Sequence, residues 1–246
     1  MHFRWMAVVV GLFLAGAAAS GTDYYVSPDA GADTTAGTKS SPLKTVGRAL
    51  DLAQPGDTIF LGTGDYPAVS ISRKYAPALT IKAAEGARPI FTAGLALQDA
   101  VGLRFSGITF TWRETTRPSR RLSPFILVQN SRDIEISSCE IFDDPTLTEW
   151  AGMACSVVES DGVTVQDTRA HHIHFGFSAT SSRNVTFRNL EIGPWSYEDG
   201  IRTMNCEGPI LIEGCHISNT GVAGARGGHV DAFQCVYWSD NVTIRN

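Results

Sequence analysis

Three six-residue segments concentrate side chains that can move protons and bind charged ligands: HIHFGF (His172 to Phe177), YEDGIR (Tyr197 to Arg202) and HVDAFQ (His229 to Gln234). Each begins thirteen residues before an apolar repeat start, at Val185, Ile210 and Val242. Aligned on that count, His172, Tyr197 and His229 form one column and His174, Asp199 and Asp231 a second, with Phe177, Arg202 and Gln234 as a third. On neighbouring strands the members of a column would lie about 5 Å apart. Removing a proton beside a carboxylate takes a base, a proton donor and a cation that neutralises the carboxylate. Tyr197, His172 and His229 are the candidate base and acid, and Arg202 is the candidate cation. His174, Asp199, Asp231 and Gln234 complete the candidate catalytic set.

Asp199 and Asp231 admit two other uses. Stacked carboxylates repel unless a cation, a shared proton or a metal offsets the charge, so the pair could hold calcium. Two carboxylates are sparse for an ion that takes six to eight oxygens, and nothing else in the chain demands a cofactor. Carboxylates about 5 Å apart would also suit a retaining glycoside hydrolase. The plain alternative is a polar ladder that faces water, with Asp side chains satisfying loop backbone groups. The four lysines, Lys39, Lys44, Lys74 and Lys82, all precede the three segments, so a catalytic lysine beside them is not expected.

Two further groups could bind substrate. Arg113, Arg117, Arg120 and Arg121 cluster between Thr111 and Leu122, and the backward count puts Arg121 in the His172 column two coils earlier. Arg120 and Arg121 could hold carboxylates of an acidic polysaccharide; alternatively the loop is solvated and balanced by Glu114, Asp143 and Asp144. Trp112, Trp150, Trp195 and Trp238 fall in or beside loops where an indole could stack on a sugar ring, and Trp195, two residues before Tyr197, is the candidate. The glycine-rich stretch from Asn219 to Gly228, with Arg226, reads as a flap or as a long connection.

What must position these residues is a repeat. Leu103, Phe105, Ile108 and Phe110 set a pattern of two apolar positions, a turn residue and two more. Ile134/Ile136/Cys139/Ile141, Val163/Val165/Thr168/Ala170, Val185/Phe187/Leu190/Ile192 and Ile210/Ile212/Cys215/Ile217 repeat it, and Val242/Ile244 begin it again. The fourth position after each start holds Gly107, Ser138, Asp167, Asn189, Gly214 or Asn246, residues that tolerate turn or left-handed backbone. Starts are 31, 29, 22, 25 and 32 residues apart, a spacing that signals a solenoid with loops of variable length. Less regular strands, at Val69/Ile71, Leu79/Ile81 and Ile90/Phe91, precede the clear repeats, giving about seven coils from Asp57 onward. The chain stops at a corner position without a polar-faced cap, so its C-terminal end is expected to be incomplete.

Residues 1–19 read as a signal peptide, with His2 and Arg4, an apolar run from Trp5 to Leu14, and Ala17-Ala18-Ala19 as the cleavage site. The run is too short to span a bilayer comfortably, so no stable membrane insertion is expected after cleavage. Residues 20–56 form an N-terminal segment with a strand at Tyr24 to Val26 and a helix, Ser41 capping it, Pro42 in its first turn and Leu43, Val46 and Leu50 on its apolar face. That helix would cover the open end of a solenoid spanning residues 57–246. A formal net charge of −5 is unlike the basic footprint of a nucleic-acid binder. Cys139 and Cys215 share an inward column three coils apart, about 14 Å at the spacing of neighbouring strands; that separation exceeds the reach of a disulfide. Cys155, Cys206 and Cys235 show no obvious pairing. The sequons at Asn184 and Asn241 coincide with strand starts and are assigned to turns.

The run SPLKTVGRALDLAQPGDTIFLGTGDY (Ser41 to Tyr66) resembles the lead-in to right-handed parallel β-helix proteins of the pectin-lyase-like superfamily, and NVTFRNLEI-type repeats resemble their coils. The resemblance covers nearly all of the mature chain and implies an all-β fold, a single-stranded right-handed parallel β-helix with a short N-terminal capping helix. The superfamily includes polysaccharide lyases, glycoside hydrolases, uronate epimerases, phage tailspikes and adhesins, so it says little about activity. HVDAFQ is similar to His/Asp motifs of mannuronan epimerase-like and lyase-like members, although the Asp-Pro-His run of those epimerases is absent. The resulting expectation is a secreted or cell-surface monomer acting on a uronate-containing polysaccharide by proton abstraction, as a lyase or C-5 epimerase. A glycoside hydrolase using Asp199 and Asp231, or a non-catalytic glycan-binding β-helix, are the alternatives.

Overall fold

The computed structural model describes residues 21–119, 122–147, 150–195, 197–218 and 231–246. The predicted signal peptide therefore lies outside the described residues, as do Arg120, Arg121, His229 and the stretch 219–230. Among the described residues no helix is long and apolar enough to cross a membrane.

Three parallel sheets form the walls of a right-handed β-helix. Sheet 1 has nine strands: Asp23–Val26, Thr58–Leu61, Lys74–Ala83, Val101–Ser106, Arg132–Ser137, Asp161–Gln166, Arg183–Arg188, Ile210–Glu213 and Val242–Arg245. Sheet 2 has seven, from Gly64–Tyr66 through Thr109–Thr111, Glu140–Phe142, Arg169–His171 and Glu191–Ile192 to His216–Ile217. Sheet 3 has seven as well, including Pro124–Gln129, Met153–Val158, Phe175–Thr180, Ile201–Cys206 and Phe233–Ser239. The chain visits sheets 1, 2 and 3 in turn and then returns to sheet 1 one coil further on. Because side chains alternate across a strand, the repeat's apolar positions from Leu103 to Ile212 face inward and are buried. Leu103, Ile134, Val163, Val185 and Ile210 are mutually paired and at most 1 % exposed, each such side chain stabilising the fold by roughly 1.5–3 kcal/mol.

The corner between sheets 1 and 2 has the geometry that its residue types demand: Ser138, Asp167 and Asn189 have φ of 52°, 50° and 49°, with Gly107 and Gly214 also positive. Asn184 and Asn241 are likewise left-handed, and Asn184 donates to Asp161 Oδ1 at 2.7 Å. At the corner from sheet 3 to sheet 1, buried serines form a ladder. Ala100 N–H donates to Ser131 Oγ, Ser131 N–H to Ser160 Oγ and Ser160 N–H to Ser182 Oγ, each at 3.1 Å. The three hydroxyls donate to Gln129 O, Val158 O and Thr180 O of their own coils.

The capping helix differs from expectation at its start. It runs Val46–Leu52 and its N-cap is Thr45, whose side chain accepts from Arg48 N–H, not Ser41. Asp33 accepts from the Lys44 and Thr45 amides and from the Thr45 hydroxyl, which holds the chain extended until Leu43 has bridged Val26. Val46, Ala49 and Leu50 are the buried face. All five cysteines are free, with Cys139, Cys155 and Cys206 buried.

Candidate active site

The candidate residues gather where chain leaving sheet 2 enters sheet 3, but not in the columns expected from counting. Strand Phe175–Thr180 pairs Phe177 with Ile201 and Ser178 with Arg202; Arg202 in turn pairs with Gln234. Phe177 therefore does not share a column with Arg202. It is fully buried against Phe187 at 5.9 Å between centroids. The cause is loop length: the corner after Thr180 holds four residues, 181–184, before Val185, whereas the corner after Met204 holds five, 205–209, before Ile210. A one-residue slip moves a side chain to the opposite face of a strand.

The turn before sheet 3 adds a second offset. Ile173 bridges Trp195 and Phe177 pairs with Ile201, so the later coil spends two additional residues there. They carry Tyr197 onto His174 instead of His172. The two rings stack with centroids 5.2 Å apart and planes 12° from parallel, and the Tyr197 and Glu198 amides both donate to His174 O, at 3.3 and 3.2 Å. His174 is buried beneath the half-buried Tyr197.

Arg202 is anchored beside this stack. Its Nε donates to Asp199 Oδ2 at 2.8 Å, its Nη2 donates to Glu198 Oε2, and the guanidinium lies over the Phe175 ring at 4.6 Å. Asp199 is 0 % exposed and its Oδ1 has no partner among the described residues, while the Arg202 side chain keeps 25 % of its surface. Two glycines allow this packing. A Cβ on Gly176 would sit 1.9 Å from Gly200 O, so the coils beneath Arg202 approach more closely than any side chain permits.

Asp231 lies opposite Asp199, since Gly200 N–H donates to Asp231 O at 2.9 Å, but its side chain is exposed. Arg202 offsets the charge of Asp199. As placed, the pair is a poor ligand set for calcium, since one carboxylate is sealed and engaged by a guanidinium while the other is exposed. Asp199, 0 % exposed and held by Arg202, is placed as an anchor for the guanidinium, whereas the hydrolase reading expected it to reach a sugar. Trp195 is also corrected as a stacking platform. It is 2 % exposed and its indole N–H donates to Glu198 O, so it supports the turn that carries Glu198.

His172 joins a separate cluster on the same turn. His171 Nδ1 lies 2.7 Å from His172 Nδ1, and His171 Nε2 lies 3.2 Å from Glu140 Oε1. Phe142 stacks on His171 and the Trp150 indole meets His172 edge-on. Burial holds both histidines below the ordinary imidazole pKa, aided for His172 by its neighbour His171. Nearby, Arg117 binds the buried carboxylate of Asp143 at 2.6 Å, and Arg113 pairs with Asp65 at 2.7 Å. These two arginines are thus tied to carboxylates, one of them the Asp143 expected to balance the loop. Glu198, Phe175, Glu140 and His171 all contribute to these clusters without having been singled out; the consecutive histidines at 171 and 172 were the available sign. A groove of about 710 Å³ lies at the corner from sheet 3 to sheet 1, lined in part by Asn130, Glu159, Asp161, Arg183 and the exposed Trp238. None of the candidate residues lines it.

Comparison with known proteins agrees with this architecture. The model of the family described as "Right handed beta helix region" matches residues 93–246, and one described as "Protein of unknown function (DUF1565)" matches residues 29–75. A solved rhamnogalacturonan lyase is 13 % identical over 87 % of this chain and 66 % of its own, with a TM-score of 0.53. A GH136 lacto-N-biosidase from Eubacterium ramulus is also 13 % identical, over 87 % of this chain and 50 % of its own, with a TM-score of 0.56. The chain thus spans between half and two-thirds of the length of these structures, and the likeness is one of fold. No curated protein matches the sequence. With the family model covering most of the chain and three parallel sheets wound as it requires, the chain belongs to the right-handed β-helix family.

Proposed function

We propose that the chain is a secreted carbohydrate-active β-helix that binds a uronate-containing polysaccharide across the outer face of sheet 3 and acts by proton abstraction, as a lyase or C-5 epimerase. Residues 1–19 serve as its signal peptide, 20–56 as its capping segment and 57–246 as its solenoid. The observation that carries the reading is the placement of a partly exposed guanidinium, Arg202, beside the His174–Tyr197 stack. Glu198 and Asp199 fix the guanidinium on one edge and Phe175 on one face, which leaves its remaining N–H groups for a uronate carboxylate. When a base takes the C-5 proton, the electron pair spreads into that carboxylate, where Arg202 stabilises the added charge. Elimination then breaks the C-4 to oxygen bond and forms the C-4 to C-5 double bond, the leaving oxygen taking a proton from Tyr197. In the epimerase outcome a proton returns to the other face of C-5 instead.

The test is incubation with alginate, pectate and glycosaminoglycans, following ultraviolet absorbance of unsaturated ends and, by NMR, exchange at C-5. One of these signals is expected, lost in Arg202→Ala and Tyr197→Phe. New reducing ends without absorbance or exchange would assign hydrolysis. Binding without turnover, unchanged in both variants, would refute the proposed site.

A further inference from the structure

We propose that Glu140, His171 and His172 form a relay that fixes the tautomer of both imidazoles and leaves His172 with its lone pair on Nε2, as a neutral base on the turn that also carries His174. The use of that base rests on the proton-abstraction reading; the relay itself does not. A carboxylate only accepts hydrogen bonds, so His171 Nε2, 3.2 Å from Glu140 Oε1, is the protonated nitrogen of that ring. A neutral imidazole has one proton, so His171 Nδ1 is an acceptor. At 2.7 Å it faces His172 Nδ1, which must supply the proton between them. His172 is then protonated on Nδ1, and its Nε2 is bare.

The opposite arrangement requires His171 to be an imidazolium. Several groups bear on that. Glu140, on the sheet 2 strand to one side, favours the cation, and so does Glu191 on the strand to the other side. Burial and Arg169, on the same strand as His171, oppose it, and burial is the largest influence. For His172 the cation is opposed by burial, by His171 and by Arg169. Asp143, whose amide donates to His172 O at 3.0 Å, has its charge met by Arg117, and Trp150 brings only an indole edge, 4.7 Å away. Both rings are therefore neutral at pH 7, as the relay needs.

The backbone commits His172 to this role. Its φ is +50°, in the left-handed region where asparagine, aspartate and histidine are the enriched side-chain-bearing residues. It is latched on both sides, by Asp143 N–H to His172 O and by His172 N–H to Pro194 O at 2.7 Å. Phe142 lies flat on His171, centroids 5.0 Å apart and planes 7° from parallel, which fixes the ring that passes on the carboxylate's preference. When substrate reacts, the C-5 to hydrogen bond breaks, the proton bonds to Nε2, and the electron pair stays on the substrate, spreading into its carboxylate. The imidazolium so formed is stabilised through Nδ1–H by His171 and, behind it, Glu140.

Long-range proton–nitrogen NMR correlations report each tautomer directly. The expected spectrum shows His171 protonated on Nε2 and His172 on Nδ1, the reverse for His172 of the form an unconstrained histidine prefers. Glu140→Gln can donate as well as accept, so it should release His172 to its default form and lower kcat at least tenfold with little change in KM. His172→Gln should lose turnover while keeping the fold. A wild-type His172 protonated on Nε2 overturns the relay whatever the activity. Correct tautomers with full turnover in His172→Gln overturn the role as base. If the wild type leaves every uronate polymer unchanged, proton abstraction fails as the activity, while the spectra still decide the relay.

Discussion

Replacing Asp199 by Asn separates an anchoring carboxylate from a chemical one. The amide keeps the shape and an acceptor for Arg202 Nε but removes a charge that is 0 % exposed. Hydrogen bonds to charged groups contribute about 1.5–3 kcal/mol and neutral ones about 0.5–1.5, so the substitution should cost about 1–1.5 kcal/mol. For a chain of this size that lowers Tm by about 2–6 °C. Asp199→Ala removes the acceptor as well. Breaking a buried pair costs about 3–5 kcal/mol, and here about 2–3, because Arg202 keeps Glu198 and is 25 % exposed. Thermal melts by circular dichroism read both. If Asp199 only holds Arg202 in place, the loss of turnover in Asp199→Asn should match the lost anchoring, about tenfold. A nucleophile or general acid would lose roughly a thousandfold or more. A thousandfold loss with Tm and affinity for an acidic oligosaccharide unchanged would refute the anchoring argument and restore Asp199 to the chemistry.

Three other outcomes follow from the geometry. His171 and His172 bind protons less readily folded than unfolded, so as pH falls below about 6.5 the unfolded chain takes up more protons and stability declines; urea melts at pH 7.5 and 5.5 should show this, with a smaller difference in a His171→Gln/His172→Gln double variant. Gly176→Ala drives a Cβ to 1.9 Å from Gly200 O, backbone that cannot yield locally, and should cost roughly 2–4 kcal/mol in a denaturant titration. Burial pushes the Cys139 and Cys155 thiols up to about 12 while Cys235 is exposed, so brief iodoacetamide treatment of folded protein should label Cys235 and spare those two, as mass spectrometry would show.

The fold was legible because its signals are local and repeated. A turn residue every fourth position after two apolar ones can only be a corner, and Ser138, Asp167 and Asn189 adopt the backbone that their side chains tolerate. The site was legible as a neighbourhood but not as a set of contacts. Counting back from Val185 and Ile210 assumes corners of equal length, and the fifth residue in 205–209 breaks that assumption where Phe177 would otherwise meet Arg202. Nothing in the count could place Tyr197 on His174, since the two additional residues before Ile201 are invisible without the partner coil. Trp195 shows the remaining limit: a tryptophan beside a loop looks the same in sequence whether it stacks on sugar or seals the loop.

The serine ladder gives this solenoid a direction in time. The amides of Ala100, Ser131 and Ser160 are each satisfied by a hydroxyl from the coil that follows, so a corner just made stays incomplete until the next coil docks. Coils here take 22 to 32 residues, about 1–6 s of synthesis each. A nascent chain would thus carry one unsealed corner at its growing face, passed along from coil to coil as translation proceeds. Cys206, in the position that serine holds in the three preceding coils, receives no such amide among the described residues, although its thiol reaches Ala179 O as Ser131 and Ser160 reach the coil before them. The relay of seals pauses there, one coil after the segment that carries His172 and His174.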